Sequence, residues 1–296
     1  MRIVVAGIGG VGGYIGGHLC STDEEILFLA RGEHGRKIEE EGLTVREDGG
    51  ELVVRPDLVT TVEDLEGEID ILLLCVKSYD IEETVACLAK NITSETIIVS
   101  FSNGVSHKEE IEALVDAKVL HGAVYILAHK ERAGVVVKKG KVFAALFGDR
   151  RYPKETALLS DLFERARLRY KAPDRIEEAL WKKYLFISAF AALTSYFDTT
   201  MRQVSLLHRN WAETLLKEIA DVAEAKGIDI QSEIPKALQT ADGLPEDASS
   251  SMHLDFQKGN RTELETLCGY VVREGQKLRL PTPMMSKIYG VLSQKR

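Results

Sequence analysis

The chain has 296 residues, 45% of them hydrophobic and 28% charged, which is enough for two domains with sizeable cores. Its 38 Lys and Arg against 46 Asp and Glu leave a formal charge of −8, the opposite of the basic footprint that a nucleic-acid binder carries. Nothing approaches the roughly 18 consecutive apolar residues of a membrane span. No charged–apolar–small leader pattern opens the chain either, so no membrane partner and a cytoplasmic location are expected.

Arg2–Ala6 (RIVVA) reads as a buried strand, and a helical pattern begins in the glycines that follow. Glu25–Ala30 is a second strand, followed by a charged helical stretch around Gly32–Glu41. Leu43–Arg46 and Leu52–Arg55 flank Glu47-Asp48-Gly49-Gly50, the signature of a hairpin. Asp70–Val76 and Thr96–Phe101 are continuous apolar runs of strand length, and Val119–Leu127 adds another strand. Val135–Val137 and Val142–Phe147 bracket Lys138-Lys139-Gly140-Lys141, which predicts a second hairpin at the sheet edge. Strands this uniformly apolar are buried on both faces, as in a parallel sheet with helices on either side.

The character changes near Ala172-Pro173-Asp174, after which the pattern is nearly all helical. Within Arg175–Thr194 the run Tyr184–Leu193 is apolar all round except at Ser188, so this helix is expected to be buried. Further helices are expected at about Trp211–Lys226, Ser232–Thr240 and Thr262–Leu278, with a last one after Pro283. The expected fold class is therefore α/β. A Rossmann-type, doubly wound, mainly parallel sheet occupies residues 1–172, and an all-α domain follows over 173–296.

Cys20, Cys75, Cys87 and Cys268 are scattered, with no CxxC pair; three sit in apolar runs and read as small buried hydrophobes. No histidine has metal-ligand spacing from another, so no metal is expected.

Gly7-Ile8-Gly9-Gly10-Val11-Gly12 fits G-x-G-x-x-G between a strand and a helix. Gly7 permits the tight turn, Gly9 lets the backbone approach a pyrophosphate, and Gly12 allows close helix–strand packing. The helix N-terminus supplies unpaired N–H groups and partial positive charge to phosphates. NAD-binding versions end the second strand on a carboxylate, whereas this chain has Leu29-Ala30-Arg31 there. Arg31 suits a 2′-phosphate, or is a solvated arginine at a strand end; NADP(H) is the expected cofactor, with Glu33 two residues on as the opposing sign. Lys77 and Asn103-Gly104 stand at the carboxyl ends of two further strands, where ligands of open α/β sheets bind.

In the helical half, Lys183 follows Trp181-Lys182 into the apolar helix. A lysine at such a border either snorkels to solvent or, facing inward, has its pKa lowered by burial and becomes a useful proton donor. Ser249-Ser250-Ser251-Met252 forms a polar cluster before His253. Thr262 and Glu265 fit a capping box for the following helix, which leaves Glu263 at the first helical position as either a dipole partner or a functional carboxylate.

Taken together, these motifs resemble the ketopantoate reductases (2-dehydropantoate 2-reductases) of the 6-phosphogluconate-dehydrogenase-like superfamily. The resemblance runs nearly end to end: Gly7–Gly12, Lys77, Asn103–Val105, His121–Val124, Ala133-Gly134 and Trp181–Lys183, then Ser250, Ser251, Met252, Asp255, Arg261, Thr262, Glu263 and Pro281–Pro283. It implies an oxidoreductase in which Lys183 is the general acid toward a ketone oxygen and Glu263 holds the substrate and orients the lysine. Asn103 would lie near nicotinamide and substrate, and Ser251 would contact the substrate carboxylate. Cofactor contacts would come from Gly7, Ile8, Gly9, Gly10, Val11, Gly12, Arg31, Lys77, Asn103 and Glu263.

Family members commonly carry asparagines at i+4 and i+8 from the lysine and three residues before the second serine; here Ile187, Ala191 and Ala248 stand there. Loss of those amides alters recognition of a substrate hydroxyl. The expected function is NADPH-dependent reduction of a 2-keto acid, 2-dehydropantoate to (R)-pantoate in pantothenate biosynthesis. The alternatives are a related reductase of a more apolar keto acid and a non-catalytic NADP(H)-binding sensor. Dimers are common in that superfamily, so a homodimer is compatible with the resemblance, and the chain itself fixes no oligomeric state.

Overall fold

A computed structural model describes residues 1–295. It divides into two compact units: Met1–Ser102 with Ser106–Ile176, and Asn103–Val105 with Glu177 onward. The change of pattern read at residue 172 falls just before the long helix that opens the second unit.

The first unit is built on strands β1 (Arg2–Ala6), β2 (Glu25–Leu29), β3 (Leu43–Glu47), β4 (Gly50–Val54), β5 (Leu58–Thr60), β6 (Ile71–Leu74), β7 (Ile97–Ser100), β8 (Lys118–Arg132), β9 (Val135–Gly148) and β10 (Tyr170–Lys171). Their order in the sheet is β4-β3-β9-β8-β7-β6-β1-β2-β5, with β10 beside β9. Among the described residues only β3–β4 and β8–β9 pair antiparallel. β1 pairs with β2 and β6 and is fully buried from Ile3 to Ala6, as a central strand of a parallel sheet must be.

Helices α1 (Gly10–Leu19), α2 (Gly32–Glu41), α3 (Ile81–Leu88), α4 (His107–Glu112) and α5 (Pro153–Arg165) complete this unit, Pro153 opening α5 with its preset φ. The sheet has a separate apolar cluster on each face: Ile3, Val5, Phe28, Leu73 and Val99 on one, Val4, Leu27, Leu72, Leu74 and Ile98 on the other. This is the alternation of a sheet covered on both sides. α1 turns glycines toward the sheet, leaving no room there for side chains. A Cβ on Gly13 would come within 2.6 Å of Val136 Cγ2, and one on Gly17 within 2.6 Å of Val45 Cγ2.

The second predicted hairpin is corrected. β9 runs unbroken from Val135 to Gly148, and the true turn is Ala133-Gly134, where Arg132 pairs with Val135 and Gly134 has φ +74°. The Lys138–Lys141 signal marks a bulge instead: pairing steps from Ile126↔Phe143 to Ala128↔Lys138, so two steps on β8 face five on β9. Lys138 is buried with its ammonium 5.7 Å from the Tyr14 ring centroid and 3.7 Å from Glu47, while 139–142 are exposed around Gly140 at φ +69°. A tethered lysine keeps the strand going where its sequence spells a turn.

The second unit consists of α6 (Ile176–Phe197), α7 (Met201–Leu207), α8 (Arg209–Ala225), α9 (Ile234–Asp242), α10 (Ser251–Gln257), α11 (Tyr270–Leu278) and α12 (Pro283–Ser293). α6 is the buried helix its composition predicts: Tyr184, Leu185, Ala189, Phe190, Ala192 and Leu193 are all at most 1% exposed. The Glu218 carboxylate accepts from the amides of Met284 and Met285 and so anchors the start of α12; burial raises its pKa.

The capping box is likewise corrected. Thr262 Oγ1 is buried and makes no hydrogen bond, and Glu265 accepts from Arg273 (2.8 Å) and from the Tyr289 hydroxyl. The helical segment starts at Leu264 and passes directly into a π-turn over Glu265–Gly269. Of the four free cysteines only Cys268 is fully buried; Cys20 and Cys75 are half-buried and Cys87 is exposed, contrary to the expectation from their apolar neighbours. No helix among the described residues is long and apolar enough to cross a membrane.

Candidate active site

The glycine turn belongs to the first unit and joins β1 to α1. Gly7 has φ +91°, and a Cβ there would also stand 2.6 Å from the Val76 amide nitrogen, so both conformation and space require glycine. A Cβ on Gly12 would collide with the Gly7 carbonyl oxygen, which fixes the close helix–strand approach. A Cβ on Gly9 would meet nothing within 4 Å beyond its chain neighbours among the described residues, and no side-chain hydrogen bond caps the α1 N-terminus. Open space above bare N–H groups at the start of a ten-residue helix is the arrangement that accepts a phosphate. Gly10, for which the motif gives no reason, is required by β8: a Cβ would strike the Ala128 carbonyl.

One residue of this region carries no sequence signal. His34, on α2, receives the Gly134 amide on Nδ1 at 2.9 Å, so Nε2 bears the hydrogen and donates to the Ile8 carbonyl at 2.6 Å. The neutral imidazole thus ties the glycine turn to the β8–β9 turn. Burial lowers its pKa, the Ile8 bond opposes that, and Lys130 lowers it further. Arg31 precedes α2, extended and exposed. Lys77 is half-buried just beyond β6, at the start of the short turn Ser78–Asp80.

The second unit gathers three of the sequence candidates. Lys183 Nζ donates to Asn103 Oδ1 at 2.9 Å, and Asn103 Nδ2 donates to Glu263 Oε2 at 3.3 Å. The asparagine amide orients itself by this pair of contacts, carbonyl to the ammonium and NH2 to the carboxylate. Lys183 does not snorkel: it is 8% exposed, and Glu263 is 4% exposed. Burial pushes the lysine down to about 8, with Glu263 partly opposing the shift. A buried ammonium of that pKa is held ready to lose a proton near neutrality.

Ser251 is not joined to the three by a hydrogen bond. It is the exposed first residue of α10, whereas its neighbour Ser250 is buried, caps α10 through the His253 amide and contacts Thr194 Oγ1 at 2.8 Å. Ile187 and Ala191, one and two turns beyond Lys183 on α6, are half-buried and buried respectively. Ala248 is half-buried, and its carbonyl accepts from the Met201 amide.

The model of the family described as ketopantoate reductase PanE/ApbA matches residues 3–150, and that of its C-terminal part matches 175–296. The chain belongs to this family. An oxidoreductase of Bacillus subtilis named YkpB, itself uncharacterized, is 27% identical over 99% of this chain and 98% of its own. A 2-dehydropantoate 2-reductase of Halobacterium salinarum is 26% identical over 96% and 95%. The solved structure of a 2-dehydropantoate 2-reductase from Porphyromonas gingivalis superposes with a TM-score of 0.86 at 30% identity, covering 99% of each chain. A ketopantoate reductase of this kind is an oxidoreductase acting on CH–OH groups, and the buried lysine and carboxylate described above are groups suited to that chemistry.

Proposed function

We propose that this family member reduces a 2-keto acid with NADPH, 2-dehydropantoate giving (R)-pantoate in pantothenate biosynthesis being the first reaction to test. The observation that carries this reading is the Lys183–Asn103–Glu263 set: a buried, protonated amine with its pKa brought to about 8 and held by an amide that also grips a carboxylate. The glycine turn fits a dinucleotide cofactor independently, with room beside Gly9 and an uncapped α1 N-terminus. Gly7, Ile8, Gly9, Gly10, Val11 and Gly12 would hold the pyrophosphate, Arg31 the 2′-phosphate, and Lys77, Asn103 and Glu263 would complete the cofactor contacts.

When bound, the reduced nicotinamide supplies a hydride to the C2 carbonyl carbon of the substrate. Lys183 Nζ gives its proton to the carbonyl oxygen as negative charge develops there, and recovers one from solvent afterwards. Asn103 keeps the ammonium aimed, Glu263 holds the substrate and favours the charged lysine, and Ser251 contacts the substrate carboxylate. Turnover of 2-dehydropantoate with NADPH in steady-state assays, lost in Lys183→Ala while NADPH still binds, is the expected result. NADPH binding without turnover on any keto acid would turn the reading toward a sensor.

A second reading, a more apolar keto acid, is favoured by one observation. On α6 the positions that follow Lys183 along its face are Ile187 and Ala191, neither able to hydrogen-bond a substrate hydroxyl through its side chain. A panel of 2-keto acids with and without a distal hydroxyl decides between the two.

A further inference from the structure

The Lys183 set is held by side chains distant in sequence, so something must fix the helix carrying Lys183 against the segment carrying Glu263. The π-turn that begins two residues after Glu263 supplies the contacts. A π-turn points backbone carbonyls away from the helix ladder, where they need donors from elsewhere. The Tyr184 hydroxyl donates to both Thr266 O (2.8 Å) and Leu267 O (3.0 Å), and Ser188 Oγ donates to Leu267 O at 2.5 Å. Leu267 in turn sends its amide back to the Glu263 carbonyl at 2.9 Å.

Tyr184 and Ser188 are four residues apart and form one stripe of α6, beside the stripe of Lys183, Ile187 and Ala191. The Tyr184 ring also stands edge-on to Tyr270, the residue after the π-turn, at 6.0 Å, and to Trp181 at 5.5 Å. Both hydroxyls are fully buried, and burial holds the phenol well above its ordinary pKa, so it stays a donor.

We propose that Tyr184 and Ser188 are positioning residues: by clamping the π-turn carbonyls to α6 they set the distance between Lys183 and Glu263 and keep the lysine dry. The functional part of this proposal rests on Lys183 being the acid. Loosening the clamp admits water to the lysine, and since burial is what lowers its pKa, against the smaller opposing effect of Glu263, that pKa moves up toward 10.5.

The test uses the full chain and reads Lys183 directly, by NMR titration of 13C-labelled lysine, assigned with Lys183→Ala. In wild type the Lys183 midpoint is expected at about 8. In Tyr184→Phe, Ser188→Ala and the double variant the midpoint rises, by half a unit or more in the double, and keto-acid turnover falls by about tenfold or more at unchanged NADPH affinity. Ile219→Val, in the same helical core, controls for lost stability and leaves the midpoint in place. Unchanged midpoints in all three hydroxyl variants, with melting temperature lowered as in Ile219→Val, overturn the clamp. The single variants keep the test open if the double variant does not fold. Turnover retained in Lys183→Ala overturns the assignment of the acid instead, and leaves the titration able to judge the clamp.

Discussion

The glycine turn and the lysine set are built by opposite means. The turn is made from backbone: six consecutive residues, shaped by one positive φ, by contacts too close for a Cβ, and by an open space over Gly9. The lysine set is made from side chains at positions 103, 183 and 263, joined by two hydrogen bonds, with Lys183 and Glu263 dried by burial. Shape made by backbone tolerates almost no added atom, whereas chemistry made by side chains is tuned by charge and water. Substitutions should therefore damage affinity in the first region and rate in the second.

The largest effect is expected from Lys183→Ala: loss of a positioned general acid lowers kcat by on the order of 10^3-fold. Its NADPH affinity, measured by fluorescence titration, should stay within about twofold of wild type by the division drawn above. Equal losses in both would erase that division.

Gly7→Ala should do the reverse. Forcing a Cβ into φ +91° costs about 1–3 kcal/mol in backbone strain alone, before the clash with the Val76 amide. Cofactor affinity should drop by about two orders of magnitude with a lowered melting temperature; an unchanged affinity would show that the turn does not hold the cofactor.

A smaller loss is expected from His34→Phe, about tenfold in cofactor affinity, since a hydrogen bond to the Ile8 carbonyl is replaced by an apolar ring. The same residue gives an acid limit. Its folded pKa lies below the ordinary 6.5, so its contribution is complete above 6.5 and is lost as pH falls through the lower folded value. Protonation puts a hydrogen on Nδ1 opposite the Gly134 amide. Binding measured from pH 7.5 to 5 should weaken toward acid in wild type more than in His34→Phe.

The smallest displacement of the pH profile is expected from Glu263→Gln, which keeps an acceptor for Asn103 and removes the charge that raises the Lys183 pKa. The basic limb of the rate profile should move below 8.

The same contrast explains what the sequence disclosed. A backbone site is local, so G-x-G-x-x-G between a strand and a helix is legible in six letters, and the parallel sheet follows from apolar runs such as Asp70–Val76. Lys183 was visible as a cation entering an apolar helix, and Glu263 as a carboxylate beside an apolar stripe, but their meeting through Asn103 depends on tertiary packing. His34 was not legible, because its role lies in accepting an amide one hundred residues away. The two misread local signals have one cause. Thr262-x-x-Glu265 spells a cap and Lys138–Lys141 spells a turn, yet Arg273 and Tyr289 hold the Glu265 carboxylate in one case and Tyr14 with Glu47 tether a lysine in the other. Tertiary contacts outweighed propensities worth about 1 kcal/mol.

The most direct test of the account is the pH dependence of kcat/KM for keto-acid reduction at saturating NADPH, in wild type and Lys183→Ala. Reduction needs the protonated lysine, so the wild-type rate should be level below pH 7, fall through a midpoint near 8 and decline tenfold per unit above it. Lys183→Ala should be slow with no such midpoint. A wild-type profile that stays level through pH 10, or a limb near 8 that survives in Lys183→Ala, would contradict the assignment of Lys183 as the proton donor.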